Sequence, residues 1–446
     1  MLHAEESIAA QPKYVMLHDR LLDAISSGDF PVNTRLPAVR SIMSTYNVSQ
    51  ATVSRAMDML LREGYLDVRR GIGVFVADAQ ARASQRLKGQ LVSPVSHSIQ
   101  ATLGIELDLI SDQDWTRTHD DVDVVNAGPL LCSMLARQGH VIPLDDFLKA
   151  DPALCEALDP WATKVFRFGE KCYGLPVFMA PVCVHANLDA LAAAGISAPE
   201  PDWRWADLEE MLAHLRARGI AQPLAWRGEA RLAPLAGTGA ALYDPSTART
   251  LLDSPAMFDA MTRLRRLATL SPLIRTTPDL LATFREGRSP LLLWGAVPEA
   301  DQLPFRYAPF PIPESPASRT LIFSEGLAIP RRCAHPERAW ETIRQFLTER
   351  ASSFLVDECV MFPPRHRGVL DFLKRHGKRW LAVYETLDRA TGDHLALGTD
   401  RMLMLTNALE GWWRPETDLA ALLTEAQTTM DAVMKADAGV HFSEGY

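Results

Sequence analysis

The sequence predicts two unlike parts in tandem: a small α+β module near the N-terminus and a much larger α/β body behind it. Three observations carry this. Between Pro37 and Val76 the apolar period changes from that of helices to that of strands, whereas from Leu87 onward strand-like and helix-like segments alternate. A chain of 446 residues is too long for one compact core and divides into two or three domains. The formal charge of -9 is also shared unevenly, since residues 12–77 hold eight Lys and Arg against six Asp and Glu and leave the negative excess to the body. A basic reader on an acidic body suits a protein that meets a polyanion with one end.

In the module, Pro37 fixes φ and lacks an N–H, which suits the entrance of a helix. Val39, Ile42, Met43 and Tyr46 then recur at helical spacing. Asn47-Val48 breaks the period with a residue that tolerates positive φ, and Ser49 caps a second helix by accepting from its free N–H groups. Val53, Met57, Leu60 and Leu61 give that helix an apolar stripe and leave Gln50, Ala51, Thr52 and Ser54 on its outer, N-terminal end. In a helix-turn-helix this end enters the major groove, where Gln bonds adenine edges, a methyl meets the thymine methyl, and hydroxyls take phosphates or bases. After Gly64 the period falls to two. Tyr65 to Arg70, a turn with Gly71 and Gly73, and Val74-Phe75-Val76 predict a β-hairpin with arginines at its tip, the wing. Arg40 alone reads equally well as a solvated arginine and Ser49 as a cap and nothing more. The conjunction decides for DNA.

These residues carry a resemblance. From about Lys13 to Ala77 the chain resembles the DNA-binding domain of the GntR family of bacterial regulators, through Arg35-Leu36-Pro37-Ala38-Val39-Arg40, Val48-Ser49-Gln50-Ala51-Thr52-Val53 and Gly71-Ile72-Gly73-Val74-Phe75-Val76. The resemblance implies double-stranded operator DNA as partner, with Arg40 anchoring phosphate or base and Arg35 of the same signature among the DNA-binding residues. It also implies that Ser49 to Thr52 read the groove and that Arg70 with Gly71 approaches the minor groove or backbone. Many members carry Arg where Gln50 and Ser54 stand, so their guanine contacts do not carry over to this chain.

The opening Met1-Leu2-His3-Ala4-Glu5-Glu6 has acids where a signal peptide needs bases, and no run of eighteen apolar residues follows. A cytoplasmic protein without a membrane partner is expected. Cys132, Cys155, Cys172, Cys183, Cys333 and Cys359 are scattered without a C-x-x-C pair or a His at ligand spacing, so they read as buried apolar residues, and no metal site or cofactor is expected.

Residues 78–85 form a short polar link. Beyond it, Leu87 to Val95 predicts a strand, Ser96 to Leu103 a helix, Ile105 to Ile110 a strand, and Val122 to Val125 a buried strand running into Asn126-Ala127-Gly128. That rhythm gives a mostly parallel α/β lobe, and in such sheets ligands lie beyond the carboxyl ends of strands, which puts Asn126 to Pro129 at a crevice. Tyr173 to Met179 and Val182 to Ala186 follow as strands, Asn187 opens a helix that ends at Gly195-Ile196, and Trp203 to Leu215 is a further helix. Phe284 to Gly295 holds a helix end, a turn and a buried strand; Glu325 to Pro330 is a strand, and His335 to Thr348 a proline-started helix.

In that order these segments resemble the family 1 extracellular solute-binding proteins of the maltose-binding type, through Tyr173-Gly174-Leu175-Pro176, the helix from Asn187 to Ile196, the strand ending at Trp294, Gly326-Leu327-Ala328-Ile329-Pro330 and His335-Pro336-Glu337-Arg338-Ala339-Trp340. The fold class is then an N-terminal α+β winged helix-turn-helix followed by an α/β two-lobed periplasmic-binding-protein-like (type II) body. The expected domains are 11–77 for the reader, 78–85 for the linker and 86–446 for the effector body, with one lobe of about 86–180 and 325–365 and a second of about 181–324 and 366–446. A small solute would be bound between the lobes. Glu325 stands where small residues are usual in the family, which implies a charged or unusual ligand.

Sugar clefts set aromatic faces against the ring and a few polar groups against hydroxyls. None of the ten tryptophans lies in the DNA module. Trp294 follows a strand, Trp226 sits in a loop-like run, Phe178 and Met179 follow Pro176 at the crossover, and Trp161 is a fourth aromatic candidate. With Asn126, Gly128, Glu325 and Arg365 these are the ligand-binding candidates, each with core packing or a surface ion pair as its plainer alternative. No nucleophile elbow, phosphate loop, H-E-x-x-H or tight His and carboxylate cluster supports an enzyme. The expected function is a homodimeric transcription regulator whose operator affinity is controlled by a carbohydrate or derivative. Two readers on a two-fold axis match half-sites one helical turn apart. Two alternatives remain: a LacI-like sugar effector body, against which the helix from Thr417 to Met434 and the segment His335 to Trp340 speak, and a pyridoxal-phosphate fusion. The latter needs a Schiff-base lysine, whereas beyond Lys171 there are only Lys374, Lys378 and Lys435, in charged helical surroundings.

Overall fold

The computed structural model of the chain describes residues 13–62, 65–69, 72–77, 87–91, 94–109, 122–200, 202–227, 238–244, 246–274, 276–297, 300–313, 320–389, 395 and 397–438. Arg70, Gly71 and the predicted link at 78–85 lie outside these residues. The chain forms two compact units. One ends at Lys88 and takes in Glu106–Asp108 and Ala334–Arg338, and the other comprises Gly89–Ile105, Leu109–Cys333 and Ala339–Tyr446.

The first unit opens with α1 (Lys13–Ser26), α2 (Val39–Tyr46) and α3 (Gln50–Arg62), followed by β1 (Leu66–Arg69) and β2 (Gly73–Val76). Asn47 ends α2 in the left-handed region at φ 52°, its N–H bonded to Met43 O, as its tolerance of that region predicts. Leu17, Leu21, Ile42, Val53, Leu60 and Val76 make the small core. β1 and β2 pair antiparallel from Leu66↔Val76 to Arg69↔Gly73. The segment before α2 adds a third, unforeseen edge, with Asn33 and Leu36 donating to Val76 O and Val74 O, and Val76 donating back to Thr34 O.

The chain continues through β3 (Lys88–Gln90), α4 (Pro94–Leu103), β4 (Asp108–Leu109), β5 (Val124–Ala127), α5 (Pro129–Arg137), β6 (Leu175–Pro181), β7 (Cys183–Asn187) and α6 (Trp205–Ala217). It ends with β8 (Leu224–Ala225), α7 (Pro255–Leu270), β9 (Leu291–Trp294), β10 (Tyr307–Phe310), β11 (Ile322–Ala328), α8 (Pro336–Phe346), α9 (His366–His376), α10 (Lys378–Glu385), α11 (Gly398–Ala408) and α12 (Leu419–Ala438). Two expected strands are shorter than the sequence predicts. Pro94 cannot donate to a ladder and instead opens α4, which cuts the strand of 87–95 to β3, and only Asp108–Leu109 pairs within 105–110.

Two sheets form the lobes, with strand orders β4-β3-β5-β11-β6 and β8-β9-β7-β10. Both are mixed rather than mostly parallel. β3 runs parallel to β5 and β8 to β9, but β11 is antiparallel to β5 and β6, and β7 is antiparallel to β9 and β10. β7 and β11 enter their sheets from the other lobe, so they are free of the parallel sense that a local strand-helix-strand unit imposes. Between β6 and β7 stands a single residue, Val182, whose N–H donates to Leu321 O at 2.8 Å. All residues of β6 and β7 are buried.

The second lobe's core gathers Val184, Leu208, Leu264, Leu291, Trp412 and Leu423, and α11 contributes Leu405. From the first lobe, Arg137 at the end of α5 reaches both carboxylate oxygens of Asp400 on α11 at 2.7 Å. Among the described residues no helix is long and apolar enough to cross a membrane. Cys132, Cys172, Cys183 and Cys359 are buried and Cys333 half-buried, but Cys155 is exposed, its thiol donating to Leu148 O, contrary to the expectation of six buried thiols.

Candidate DNA-reading face and solute site

Ser49, Gln50, Ala51 and Ser54 are exposed at the start of α3, as are Arg35 and Arg40. Ser49 Oγ accepts the Thr52 N–H at 3.2 Å and lies 2.9 Å from Thr52 Oγ1, so these hydroxyls serve the cap first and keep only their remaining capacity for DNA. Gln50 and Ser54 carry the free hydrogen-bonding ends. Gly73 has φ +139°, a conformation that favours glycine, and a Cβ there would lie 2.5 Å from Arg35 Nε, so the glycine leaves the Arg35 guanidinium its place at the turn end of the wing. Arg69, which the sequence places only as one of the wing-tip arginines, is fixed on both sides. Its guanidinium lies 4.2 Å from the Phe75 ring centre and donates to Asn33 Oδ1 at 2.9 Å. Its place opposite Gly73 and diagonal to Phe75 in the hairpin register is the signal that locates it.

The solute candidates separate. Phe178, Glu325, Trp294 and Gly128 gather at the crossover. Phe178 faces Glu325 in the β6–β11 ladder, and Trp294 packs on Phe323 with ring centres 4.9 Å apart. A Cβ on Gly128, the residue before α5, would stand 3.6 Å from Ser324 O. A Cβ on Gly295 would meet Phe323 Cδ2 at 2.8 Å and Ala180 O at 3.1 Å, so the end of β9 abuts the crossover strands themselves. Trp294 and Glu325 are thus both half-exposed beside the crossover, an aromatic ring and a carboxylate near one another along the strands.

Three other candidates do not present side chains to an opening. Trp226 is completely buried, donates its indole N–H to Ser271 O at 2.8 Å and meets Trp412 edge to face, so it belongs to the second lobe's core. Met179 is also fully buried, and its backbone N–H goes to Phe362 O. Asn126 is 1% exposed and its amide donates to Gly326 O at 3.0 Å, tying β5 to β11. Arg365 donates to Leu347 O at 3.0 Å at the end of a helix, and the Trp161 ring lies under Lys164 Nζ at 4.0 Å. The neighbour that sequence missed is Asp159. This fully buried carboxylate accepts from the Tyr384 hydroxyl at 2.8 Å and the Trp161 N–H at 3.2 Å, with His366 Nδ1 at 3.4 Å.

A second buried polar group sits in β7. His185 Nε2 lies 3.1 Å from Trp294 O, a carbonyl that can only accept, so Nε2 carries the proton and Nδ1 accepts from the Tyr307 hydroxyl at 2.6 Å. Burial lowers the His185 pKa to about 4 against the raising effect of the Trp294 bond, and burial pushes the Tyr307 hydroxyl well above its usual value. A neutral imidazole pins the end of β9 to the middle strand of its sheet. Among the described residues no group of three or more His, Cys, Asp and Glu is placed to hold a metal ion.

A family model of the bacterial extracellular solute-binding proteins matches residues 111–351, and one of bacterial regulatory proteins of the gntR family matches 13–76. The Exu regulon transcriptional regulator of Escherichia coli strain K12 is 40% identical over 72 residues, 16% of this chain and 28% of its own length. The uncharacterized HTH-type transcriptional regulator YurK of Bacillus subtilis is 32% identical over 90 residues, 20% and 35% respectively. The chain thus spans about a third of the length of the curated relatives it matches. Among solved structures, the ABC substrate-binding protein Lmo0181 of Listeria monocytogenes, in complex with cycloalternan, is similar over 78% of this chain and 98% of its own at 17% identity and a TM-score of 0.65. A solute-binding protein of Thermotoga lettingae bound with alpha-D-tagatose gives the same coverages at 14% identity and a TM-score of 0.67. That fold replaces the LacI-like and pyridoxal-phosphate alternatives for the body. The chain belongs to the bacterial extracellular solute-binding protein family, and carries ahead of that body a regulatory domain of the gntR family.

Proposed function

We propose that the protein is a transcription regulator whose operator affinity is set by a small solute, a carbohydrate or derivative, held between the lobes at the crossover. The observation that carries this reading is one chain presenting both a groove-reading helix end, with Gln50, Ala51 and Ser54 exposed, and a two-lobed body with half-exposed Trp294 and Glu325 beside the crossover, Trp294 packed on Phe323 and Glu325 paired with Phe178. Support for a sugar comes from the molecules bound in similar structures, among them cycloalternan and alpha-D-tagatose. The reading places the protein in the cytoplasm with the chromosome, as a homodimer, because one module of slight positive charge binds DNA weakly and two bind half-sites together. Closure on solute changes the freedom of the two readers. The solute shifts the equilibrium only by its differential affinity for the two arrangements, a few kcal/mol for a usable switch.

The test has two arms. A thermal-shift panel of sugars, sugar acids and polyols should return at least one compound that raises the melting temperature. Fluorescence anisotropy on a duplex from the upstream region of the gene should then change with that compound. A compound that stabilises the body but leaves operator affinity unchanged at every salt concentration refutes the coupling.

A further inference from the structure

We propose that the body holds a second ligand site, lined by neither Trp294 nor Glu325, for a small organic anion: an apolar or aromatic body carrying a carboxylate or phosphate group. An open-sided cavity of about 390 Å³ lies where the corner between α9 and α10 leans on β10. Its volume falls within the range of small-molecule sites, roughly 300–1,000 Å³. Tyr307, Pro309, Val360 and Trp380 give it apolar and aromatic walls, and His376, Lys378 and Arg379 contribute basic groups. Among the described residues that line it none is a carboxylate or an amide.

The charge here runs against that of the whole chain. The protein carries -9, and beyond Lys171 it has three lysines, yet residues 374–379 read Lys-Arg-His-Gly-Lys-Arg. Of these, Arg375 is spent on Asp357 at 2.9 Å, and His376 Nε2 lies 3.0 Å from Val356 O. Lys378 and Arg379 are exposed, and Arg379 stands with its guanidinium 4.9 Å from the Phe310 ring centre, at the end of β10. Gly377, at φ +88°, makes the corner that brings His376 and Lys378 to one opening. The Tyr307 hydroxyl is engaged with His185 at 2.6 Å, so this wall offers chiefly its ring.

Each alternative occupant lacks something. A carbohydrate needs acceptors and amides for its hydroxyls, and the lining supplies cations and hydrocarbon instead. A nucleic-acid backbone is met by a ridge or groove that tracks it, whereas these cations surround a concavity with apolar walls. A bound anion would tie α10 to β10 and so brace the corner against the second lobe's sheet. This site stands or falls independently of a solute at the crossover.

The experiment uses the full chain, with phenyl phosphate and benzoate as probes and benzyl alcohol as the neutral control. Thermal shift and tryptophan fluorescence, reporting on Trp380, should respond saturably to both anions and not to the alcohol. Lys378→Gln with Arg379→Gln, at two exposed side chains, should weaken the anions roughly tenfold or more with unchanged far-ultraviolet circular dichroism. Lys435→Gln, on the exposed side of α12, should leave them as they are. Absence of any response to the anions overturns the proposal, as does a response that survives the double substitution. Loss of random-sequence DNA binding on the double substitution, with no response of the parent to the small anions, also overturns it and reassigns the cluster to phosphate contact.

Discussion

Replacing Trp226 by Phe separates a core residue from a solute residue. In the parent the indole N–H donates to Ser271 O at 2.8 Å, both residues are completely buried, and the ring meets Trp412 at 6.4 Å between centres. Phenylalanine keeps a ring in the site but leaves the Ser271 carbonyl without this donor, at a cost of about 1–3 kcal/mol. The smaller ring also leaves a void of roughly 40 Å³, about 1 kcal/mol at the usual cavity rate. The sum is about 2–4 kcal/mol, which for a unit this large lowers the melting temperature by roughly 5 °C. Calorimetry reads it directly, and near-ultraviolet circular dichroism follows the loss of the Trp226–Trp412 pair. A melting temperature within about 1 °C of the parent, combined with loss of the stabilisation by a panel solute, would refute the placement of Trp226 in the core. Trp294→Phe should behave in the opposite sense, with little loss of stability and a weakened solute response.

Stability should fall with acid through His185. Its folded pKa of about 4 lies below the unfolded value of 6.5, so the unfolded chain binds more protons between these values. The penalty begins as pH drops below about 6.5, reaches about 3 kcal/mol near pH 4, and is absent at neutral pH. Melting temperatures of the parent and His185→Gln between pH 7 and 4.5 should converge on acidification, and parallel curves would count against it. Gly326→Ala puts a Cβ into the Phe166 ring and 2.9 Å from Leu175 O, where backbone cannot yield, so a loss of about 1–3 kcal/mol or failure to fold is expected in urea titrations. Asp400→Asn weakens the bidentate pair with Arg137 that joins α5 to α11. With both side chains a quarter to a third exposed, solvent screening holds the stability cost to about 1 kcal/mol. The radius of gyration in solution should rise slightly without solute, and an unchanged scattering profile would show that the pair does not hold the lobes together.

The reader was legible because its signals are local. Pro37, Asn47, Ser49 and the switch of period at Gly64 each act on their immediate neighbours, and the caps and hairpin stand where those residues put them. The third edge of the wing was not, since the hydrogen bonds from Asn33 and Leu36 run to strands forty residues away and no period announces them. The body's order of elements was legible from ordered short motifs, but the sense of its strands was not, because β7 and β11 take their direction from the opposite lobe. Trp226 read as a loop residue from Leu224-Ala225-Trp226-Arg227-Gly228, and what buries it is Trp412. Asp159 was invisible for the same reason. Its partner Tyr384 is 225 residues away, and a single aspartate before a proline reads as a helix cap, which it also is.

The passage from β6 to β7 has a mechanical consequence. One continuous length of chain serves as a strand in both sheets, and Leu321, leading into β11, is hydrogen-bonded beside it at Val182. Two bonded strands side by side act as a leaf spring: flexing across the thin direction disturbs few ladder bonds, whereas shear or torsion between the strands breaks them. At this passage, bending across the thin direction is thereby easier than sliding or twisting.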